Sequence, residues 1–359
     1  MARSPGLSQC PHSVRRAIQA ALAALVLGAG WISVIAQTVS TTPVGVVWVP
    51  IAAGSATVPS VNTFSVPLRD ALPATFVGQA TGRISSVSAS TITCTGAGWS
   101  PNALSRLGSP YYLRITSGAA SGRTLQISPS VPNTDSTVTV LNQGTDLTAL
   151  GIRTGSSGDT FEMFLGFTLS TLFSTTTLAG TSSASADVVM LHDGVGWREY
   201  YFHSTALQWR TGSVPSSQNN VAIRPDSGVI FYRRGSTALT YGLIGTVPSV
   251  NLKVVVNNVG VTFVGGVYPV NQTLAGAAYH ALPNWRTAGN VATADKVTFF
   301  GGIGFDSYHF NQSAAQWRKG SVPVSQSNVT IPSGRPVILE RSGGTAGVTV
   351  LERVLPYTL

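Results

Sequence analysis

The residues best suited to chemistry occur in a segment that the chain contains twice. Gln208 to Ile223 and Gln316 to Ile331 are identical at twelve of sixteen positions, and each contains a tryptophan between Gln and Arg. An exposed tryptophan can stack on the apolar face of a sugar while amide and guanidinium groups bind its hydroxyls. The candidate ligand-binding residues are Trp209, Arg210, Gln218, Asn220, Trp317, Arg318, Gln326 and Asn328. Alternatively, each tryptophan fills the end of its own β-core, with the arginine packed over it.

An aspartate also recurs at the same place in both copies, as Asp187 and Asp295. A carboxylate there could bind calcium, but calcium requires about six to eight oxygen ligands. The chain has only 13 acidic residues and no Asp-x-Asp-x-Asp run. We therefore expect each aspartate to accept hydrogen bonds from local backbone amides at the start of a strand. We predict no metal site and no cofactor.

Familiar catalytic motifs are absent from the sequence. It contains no Gly-x-Ser-x-Gly, P-loop, His-Glu-x-x-His or Cys-x-x-Cys pattern. The histidines beyond the N-terminal segment do not coincide between the two copies: His192, His203, His280 and His309. Because no set of residues meets the requirements of a catalytic site, we expect a protein that is not an enzyme.

The two tryptophan segments belong to a tandem duplication with a spacing of 108 residues (317 − 209). The match extends upstream, where Tyr200 aligns with Tyr308, and downstream, where Arg233 or Arg234 aligns with Arg341. A repeat of about a hundred residues can bury its own core, whereas a single repeat of a solenoid cannot. Each copy is therefore expected to be a domain.

The chain beyond the N-terminal segment has the pattern of an all-β protein. Short β-branched runs alternate with Gly, Pro, Ser, Thr and Asn turns about every eight to twelve residues, without helical periodicity. We predict an N-terminal β-domain at 37–160, with a small antiparallel barrel or sheet at about 80–150. Two tandem β-sandwich or barrel repeats follow at 161–260 and 261–359. Insertion of the small segment into the first repeat is an alternative.

Residues 1–36 have the features of a secretory signal peptide. Arg15 and Arg16 precede an apolar run from Ala20 to Ile32, and cleavage is expected after Ala36. A retained membrane anchor is the alternative, because the apolar segment is just long enough to span a bilayer. We therefore predict export to the periplasm, the surface or the surroundings of a bacterial cell, with no membrane span after cleavage.

The charge pattern argues against a nucleic-acid partner. Removing Arg3, Arg15 and Arg16 lowers the formal charge from +9 to +6 (9 − 3), and the remaining arginines are scattered rather than clustered. Cys94 is the only cysteine left after cleavage, so no intramolecular disulfide can form. The low charge leaves strand edges weakly protected, which favours self-association.

Further segments carry a resemblance to a family. Tyr111 to Arg123, Gly158 to Glu162 and Phe167 to Phe173, with the repeat around Trp209 and Trp317, resemble an uncharacterised paralogous family of exported, β-rich bacterial proteins. The resemblance covers nearly the whole chain beyond the signal peptide. It implies export and paralogy, and it carries no known activity, so no functional residue is transferred.

Two functions of different classes remain open. The first is an exported, non-enzymatic structural or cell-surface protein built of tandem β-domains, which could self-associate. The second is a module that binds an extracellular polysaccharide or another cell-envelope polymer through the repeated Trp loops, where two copies would add avidity.

Overall fold

The described residues form β-strands and single helical turns. The computed structural model describes residues 43–142, 144–173, 178–193 and 196–358, so the predicted signal peptide lies outside the described residues. The strands are β1 (Val44–Ile51), β2 (Ser60–Ser65), β3 (Thr81–Arg83), β4 (Ser86–Val87), β5 (Thr91–Thr93), β6 (Tyr111–Ile115), β7 (Thr124–Ile127), β8 (Thr137–Leu141), β9 (Thr160–Leu165), β10 (Phe167–Thr168), β11 (Val188–His192), β12 (Trp197–His203), β13 (Gln208–Arg210), β14 (Ala222–Ile223), β15 (Gly228–Arg233), β16 (Leu239–Thr246), β17 (Leu252–Asn257), β18 (Gly260–Val264), β19 (Gln272–Thr273), β20 (Lys296–Phe300), β21 (Phe305–Asn311), β22 (Gln316–Lys319), β23 (Thr330–Ile331), β24 (Val337–Arg341) and β25 (Val348–Arg353). The predicted all-β class is confirmed.

The helical turns are short, and two of them are capped by threonine. They are a 3₁₀ turn (Leu147–Leu150), α1 (Leu169–Leu172), α2 (Leu274–Ala277) and a second 3₁₀ turn (Tyr279–Ala281). The Thr168 hydroxyl caps α1 by accepting from the third amide of the turn, and Thr273 caps α2 in the same way. Across the described ranges, no helix is long and apolar enough to cross a membrane.

Residues 81–165 contain a seven-stranded antiparallel sheet, which we call the inserted sheet. Its strand order is β3-β9-β6-β7-β8-β5-β4. The two end strands are consecutive in the chain, separated only by Ile84 and Ser85, whose amides donate to the carbonyls of Asp159 and Thr93, each at 2.8 Å. The sheet encloses a core of its own.

Two further five-stranded sheets share one strand order. The first is β13-β12-β11-β15-β2 and the second is β22-β21-β20-β24-β18. Each has a two-stranded ribbon, β1–β16 or β17–β25, and a short pair, β10–β14 or β19–β23. Since the inward side chains of each ribbon join the core of its sheet, each set forms a sandwich-like body. We call 44–65 with 167–246 the first unit, and 252–353 the second unit.

The first unit is assembled from two separate parts of the chain. β1 and β2 precede the inserted sheet, yet they pair with β16 and β15. In the second unit, β17 likewise precedes residue 261 and pairs with β25. The units therefore begin at residues 44 and 252, before the positions 161 and 261 taken from the sequence. Those earlier strands lack the repeated motif, so the sequence comparison did not reach them.

The two units meet through reciprocal backbone contacts. The Ser65 amide, at the end of β2, donates to the Gly334 carbonyl at 2.7 Å, and the Gly265 amide, just after β18, donates to the Asp226 carbonyl at 2.9 Å. Asp226 and Gly334 are 108 residues apart and lie in equivalent turns before β15 and β24. Such reciprocity is typical of an approximate two-fold relationship. Both turns therefore lie where the two units meet.

Candidate functional site

The repeated tryptophans are core residues in this structure. Trp209 is 1% exposed and Trp317 is 0% exposed. The ring centroid of Trp209 lies 5.6 Å from that of Phe173 and 5.8 Å from that of Phe202, and the Trp317 ring lies 5.7 Å from Phe310. The indoles therefore do not form the sugar-stacking surface considered from the sequence. They are members of the two cores, as the alternative interpretation expected.

The polar residues predicted alongside the tryptophans belong to the loops that close over them. The backbone N–H of Gln218 donates to the Trp209 carbonyl at 2.8 Å, and the backbone N–H of Gln326 donates to the Trp317 carbonyl at 2.7 Å. The remaining candidates are two half-buried arginines and two exposed asparagines, which are Arg210, Arg318, Asn220 and Asn328. The four candidates around Trp209 belong to the first unit and the four around Trp317 to the second. In each unit, the backbone bond to the tryptophan carbonyl holds the loop against the core.

The repeated aspartates form buried ion pairs. Asp187 accepts from the Arg234 amide at 2.7 Å and pairs with the Arg233 guanidinium. In the second unit, Asp295 pairs with Arg341 at 3.4 Å. The expected bonds to backbone amides are present: each aspartate accepts from an amide nine residues earlier, of Leu178 or Arg286, and from one 47 residues later, of Arg234 or Ser342. The equivalent of Arg341 is Arg233.

The described residues contain neither a metal-binding cluster nor an activated thiol. No three His, Cys, Asp or Glu side chains come together there in a way that could hold a metal ion. Cys94 lies in the core of the inserted sheet, where burial raises the pKa of its thiol to about 12. Because the thiolate is the nucleophile, this cysteine is unreactive at neutral pH.

A cavity of about 540 Å³ lies where the inserted sheet meets both units. This volume is in the range of about 300–1,000 Å³ found for small-molecule sites. The inserted sheet contributes Tyr112, the first unit contributes His192, Arg224 and Asp226, and the second unit contributes Phe263, among other lining residues. We call this space the central cavity and treat it as the candidate functional site.

An ion pair lines the central cavity. Arg224 donates from Nε to Asp226 Oδ1 at 3.0 Å and from Nη2 to Oδ2 at 2.8 Å, in a bidentate geometry. Burial opposes the charge of Asp226, but Arg224 outweighs burial and holds the pKa of that carboxyl below its ordinary value. The bond from the Gly265 amide to the Asp226 carbonyl anchors the turn that carries both residues. The pair is thus held in place by the junction of the two units.

A tyrosine of the inserted sheet lines the cavity. Tyr112 on β6 is 2% exposed, and its ring stacks on Phe164 with the centroids 5.5 Å apart. Its hydroxyl is buried and has no hydrogen-bond partner among the residues that the structure describes. Burial raises the pKa of Tyr112, so the phenol is neutral near pH 7. A buried hydroxyl without a partner is uncommon and calls for an explanation.

Aromatic residues form one edge of the cavity. His192 packs edge-on against Trp197 with the centroids 5.2 Å apart, and Trp197 lies 5.0 Å from Phe263 of the second unit. Burial lowers the pKa of His192 despite the charge of Asp193, which leaves the imidazole neutral near pH 7. Asp193 itself accepts from Arg198 Nε at 2.9 Å. Both lining carboxylates are thus paired with arginines.

The ion pair and the histidine of the cavity are not part of the repeated frame. At a spacing of 108 residues, the second unit has Phe300 in place of His192, Pro332 in place of Arg224, and Gly334 in place of Asp226. Sequence reasoning missed Arg224 and Asp226 because it scored positions where the two copies agree, and it considered His192 only as one of four histidines that do not coincide between the copies. The signal that could have found them is a charged pair present in one copy and absent from the other.

The chain was also compared with known proteins. No family model, no curated protein and no solved structure matches it. The resemblance to exported bacterial proteins therefore stays a prediction, and the function is argued from the geometry described above.

Proposed function

We propose that the protein is an exported, non-enzymatic structural or cell-surface protein built of tandem β-domains. The observation that carries this proposal is that the recurrent tryptophans and Asp–Arg pairs are used inside the two units. Trp209 and Trp317 complete the cores, and Asp187 and Asp295 join buried strands through their arginines. The two copies share residues that stabilise the interior of each unit. This favours a role in which the folded β-domains act as structural units.

Binding of a polysaccharide through the Trp loops has less support. Each indole is enclosed by other aromatic rings, so neither offers a face to a sugar. Retention of the protein on an insoluble polysaccharide would therefore have to depend on another surface. We do not keep the Trp loops as a second candidate site.

Localisation tests the proposal. Cells producing the full chain would be fractionated, and intact cells would be treated with protease. We expect the protein in the periplasmic, surface or extracellular fraction, with a mature N-terminus at Gln37. A Leu25→Glu variant, which interrupts the apolar run of the signal peptide, is the control and should remain in the cytosol.

Self-association and polysaccharide retention refine the proposal. Light scattering over a range of protein concentrations should show oligomers if the domains assemble laterally. A wild-type protein found only in the cytosol would contradict export. Saturable retention on purified cell-wall polysaccharide would contradict a purely structural role.

A further inference from the structure

The lining of the central cavity is electrically balanced. Asp226 pairs with Arg224, and Asp193 pairs with Arg198. The imidazole of His192 is neutral near pH 7 because burial lowers its pKa. Each charged lining side chain already has a partner of opposite charge, so a charged ligand would remain unpaired in the cavity. Burying an unpaired charge is costly. The balance therefore favours a neutral ligand.

The cavity also offers hydrogen-bonding groups of both kinds. The Tyr112 hydroxyl can donate and accept, and it has no partner within the described ranges. Thr124 and Gln126, two residues apart on β7, both line the same space because alternate residues of a strand share a face. Hydroxyl and amide side chains both donate and accept hydrogen bonds. They therefore suit ligand hydroxyls, which also do both, better than ligand groups that only donate or only accept.

An apolar wall faces these polar groups. Leu191 of the first unit, with Val255 and Phe263 of the second unit, lines the cavity, and Phe263 continues into the aromatic contact with Trp197. A ligand with hydroxyls along its rim and C–H groups on its face would meet both kinds of surface. Specific pockets commonly combine an apolar lining with a few placed polar groups.

The Arg224–Asp226 ion pair is present in the first unit and has no counterpart in the second. The second unit builds the same sheet with Pro332 and Gly334 at the turn where the first unit has Arg224 and Asp226. The ion pair is therefore not required to form this turn or this sheet. It occurs in the copy whose turn lines the same cavity as Tyr112 of the inserted sheet.

We propose that the central cavity binds a small neutral compound that carries several hydroxyl groups and one apolar face, of the chemical class of mono- and disaccharides. Tyr112 contributes a hydroxyl, the Arg224–Asp226 pair contributes charged hydrogen-bonding groups, and Phe263 contributes an apolar surface. This site is distinct from the buried Trp loops. It does not depend on the proposed structural role, which is tested by localisation.

Titration calorimetry tests the proposal on the purified protein. The probes are D-glucose, N-acetylglucosamine, maltose and cellobiose, with sodium benzoate as an anionic probe. We expect saturable binding of at least one sugar and none of benzoate. Because Trp197 lies at the cavity edge, its fluorescence should change over the same concentration range.

Three tyrosine variants locate the bound sugar. Tyr112→Phe should weaken binding at least five-fold without lowering the thermal midpoint, because it removes a hydroxyl that has no partner among the described residues. Tyr200→Phe alters a lining residue, whereas Tyr308→Phe alters its equivalent in the second unit, which does not line the cavity. We expect a weaker complex for the former and an unchanged one for the latter. Gln126→Leu gives an independent measurement if Tyr112→Phe folds poorly.

Several results would overturn the inference. Absence of saturable binding for all four sugars would reject the ligand class. Binding that is unchanged in both Tyr112→Phe and Gln126→Leu would place the sugar elsewhere. Binding of benzoate in preference to sugars would reject a neutral ligand and direct attention to Arg123, whose buried guanidinium has two nitrogens without partners in the described structure.

Discussion

The ribbons of the two units have equivalent inner faces and different outer faces. Leu243 on β16 and Leu351 on β25 are 108 residues apart, and both are buried. They pair with Val47 and Val254, which aligns the two ribbons residue by residue. Any difference between the outer faces can therefore be compared at matched positions.

The outer face of the first ribbon is apolar and exposed. Val46, Trp48 and Ile244 all point outward, and Trp48 is 69% exposed. The matched positions of the second ribbon are Lys253, Val255 and Glu352. The more exposed of the two faces is thus the more apolar one. Apolar residues are usually buried and charged residues exposed, so this is the opposite of the common arrangement.

The inserted sheet partly covers the outer face of the second ribbon. The Lys253 amide donates to the Gly122 carbonyl at 3.0 Å, and Lys253 Nζ donates to the Ala119 carbonyl at 2.6 Å. The inserted sheet is therefore continuous in sequence with the first unit but contacts the ribbon of the second. An insertion in one copy has made the surfaces of two related units different while leaving their cores alike.

The substitutions expected to destabilise the protein most test whether the two cores are equivalent. Trp209→Ala and Trp317→Ala should each lower the free energy of unfolding by about 3–5 kcal/mol, because each leaves a large cavity in a packed core. Urea unfolding followed by circular dichroism measures this loss. Trp48→Ala is the exposed control. A loss below about 1 kcal/mol for one core tryptophan alone would break the equivalence of the units.

The buried ion pairs should show nearly as large an effect. Asp187→Asn and Asp295→Asn should each cost about 3 kcal/mol, since each leaves a buried arginine without its counter-ion. Asp306→Asn is the matched control, because its pair with Lys319 is partly exposed and should contribute less than about 1 kcal/mol. Equal, small losses for all three variants would show that the pairs do not support the sheets.

The attachment of the inserted sheet should depend on acid pH. Glu162 on β9 contacts both Arg69 and Arg114. Burial opposes its ionisation, but the hydrogen bond and charge of Arg69, with the charge of Arg114, lower its pKa below the ordinary 4.5. A carboxyl with a lowered pKa in the folded state stabilises the protein above its unfolded pKa. That contribution is lost as the pH falls through the folded-state pKa.

Stability measured between pH 7 and pH 3 checks this expectation. The wild type should lose stability below about pH 4.5, and part of that loss should disappear in Glu162→Gln. Because Arg69 also bonds the Thr246 backbone, separation of the inserted sheet should be visible as faster proteolysis within 81–165. An identical pH profile in the variant would remove Glu162 from the explanation.

The smallest expected effect concerns the two outer faces. Trp48→Ser should change stability by no more than about 0.5 kcal/mol, since its side chain is mostly in water. Val255→Ser should cost about 1 kcal/mol, because this matched residue is half-buried and lines the central cavity. Binding of a hydrophobic dye should fall in the Trp48 variant alone. A larger loss for Trp48→Ser than for Val255→Ser would contradict the assignment of covered and exposed faces.

Much of the frame follows from local patterns in the sequence. β17 illustrates this, because Leu252, Val254 and Val256 alternate with less buried residues and point into the core. The repeat spacing alone also identified Trp209 and Trp317 as equivalent residues. Both properties depend on residues close together in the chain, or on identity between two copies, and both can be read without knowing which strands pair.

Only the tertiary structure decided the environment of the recurrent tryptophans. Trp209 stands between polar neighbours in the sequence, a pattern compatible with an exposed loop or with a core position. Its burial depends on Phe173, which is 36 residues earlier in the chain (209 − 173) and packs against it at the end of α1. A local pattern does not specify such a contact.

The sequence by itself determined the β class and the duplication, whereas the central cavity required the folded chain. Tyr112, Arg224 and Phe263 reach one space from the inserted sheet, the first unit and the second unit. Their meeting follows from strand pairing and reciprocal turn contacts between segments far apart in the chain. Alternation and turn residues specify that strands form, but the packing of distant side chains selects which strands and turns come together.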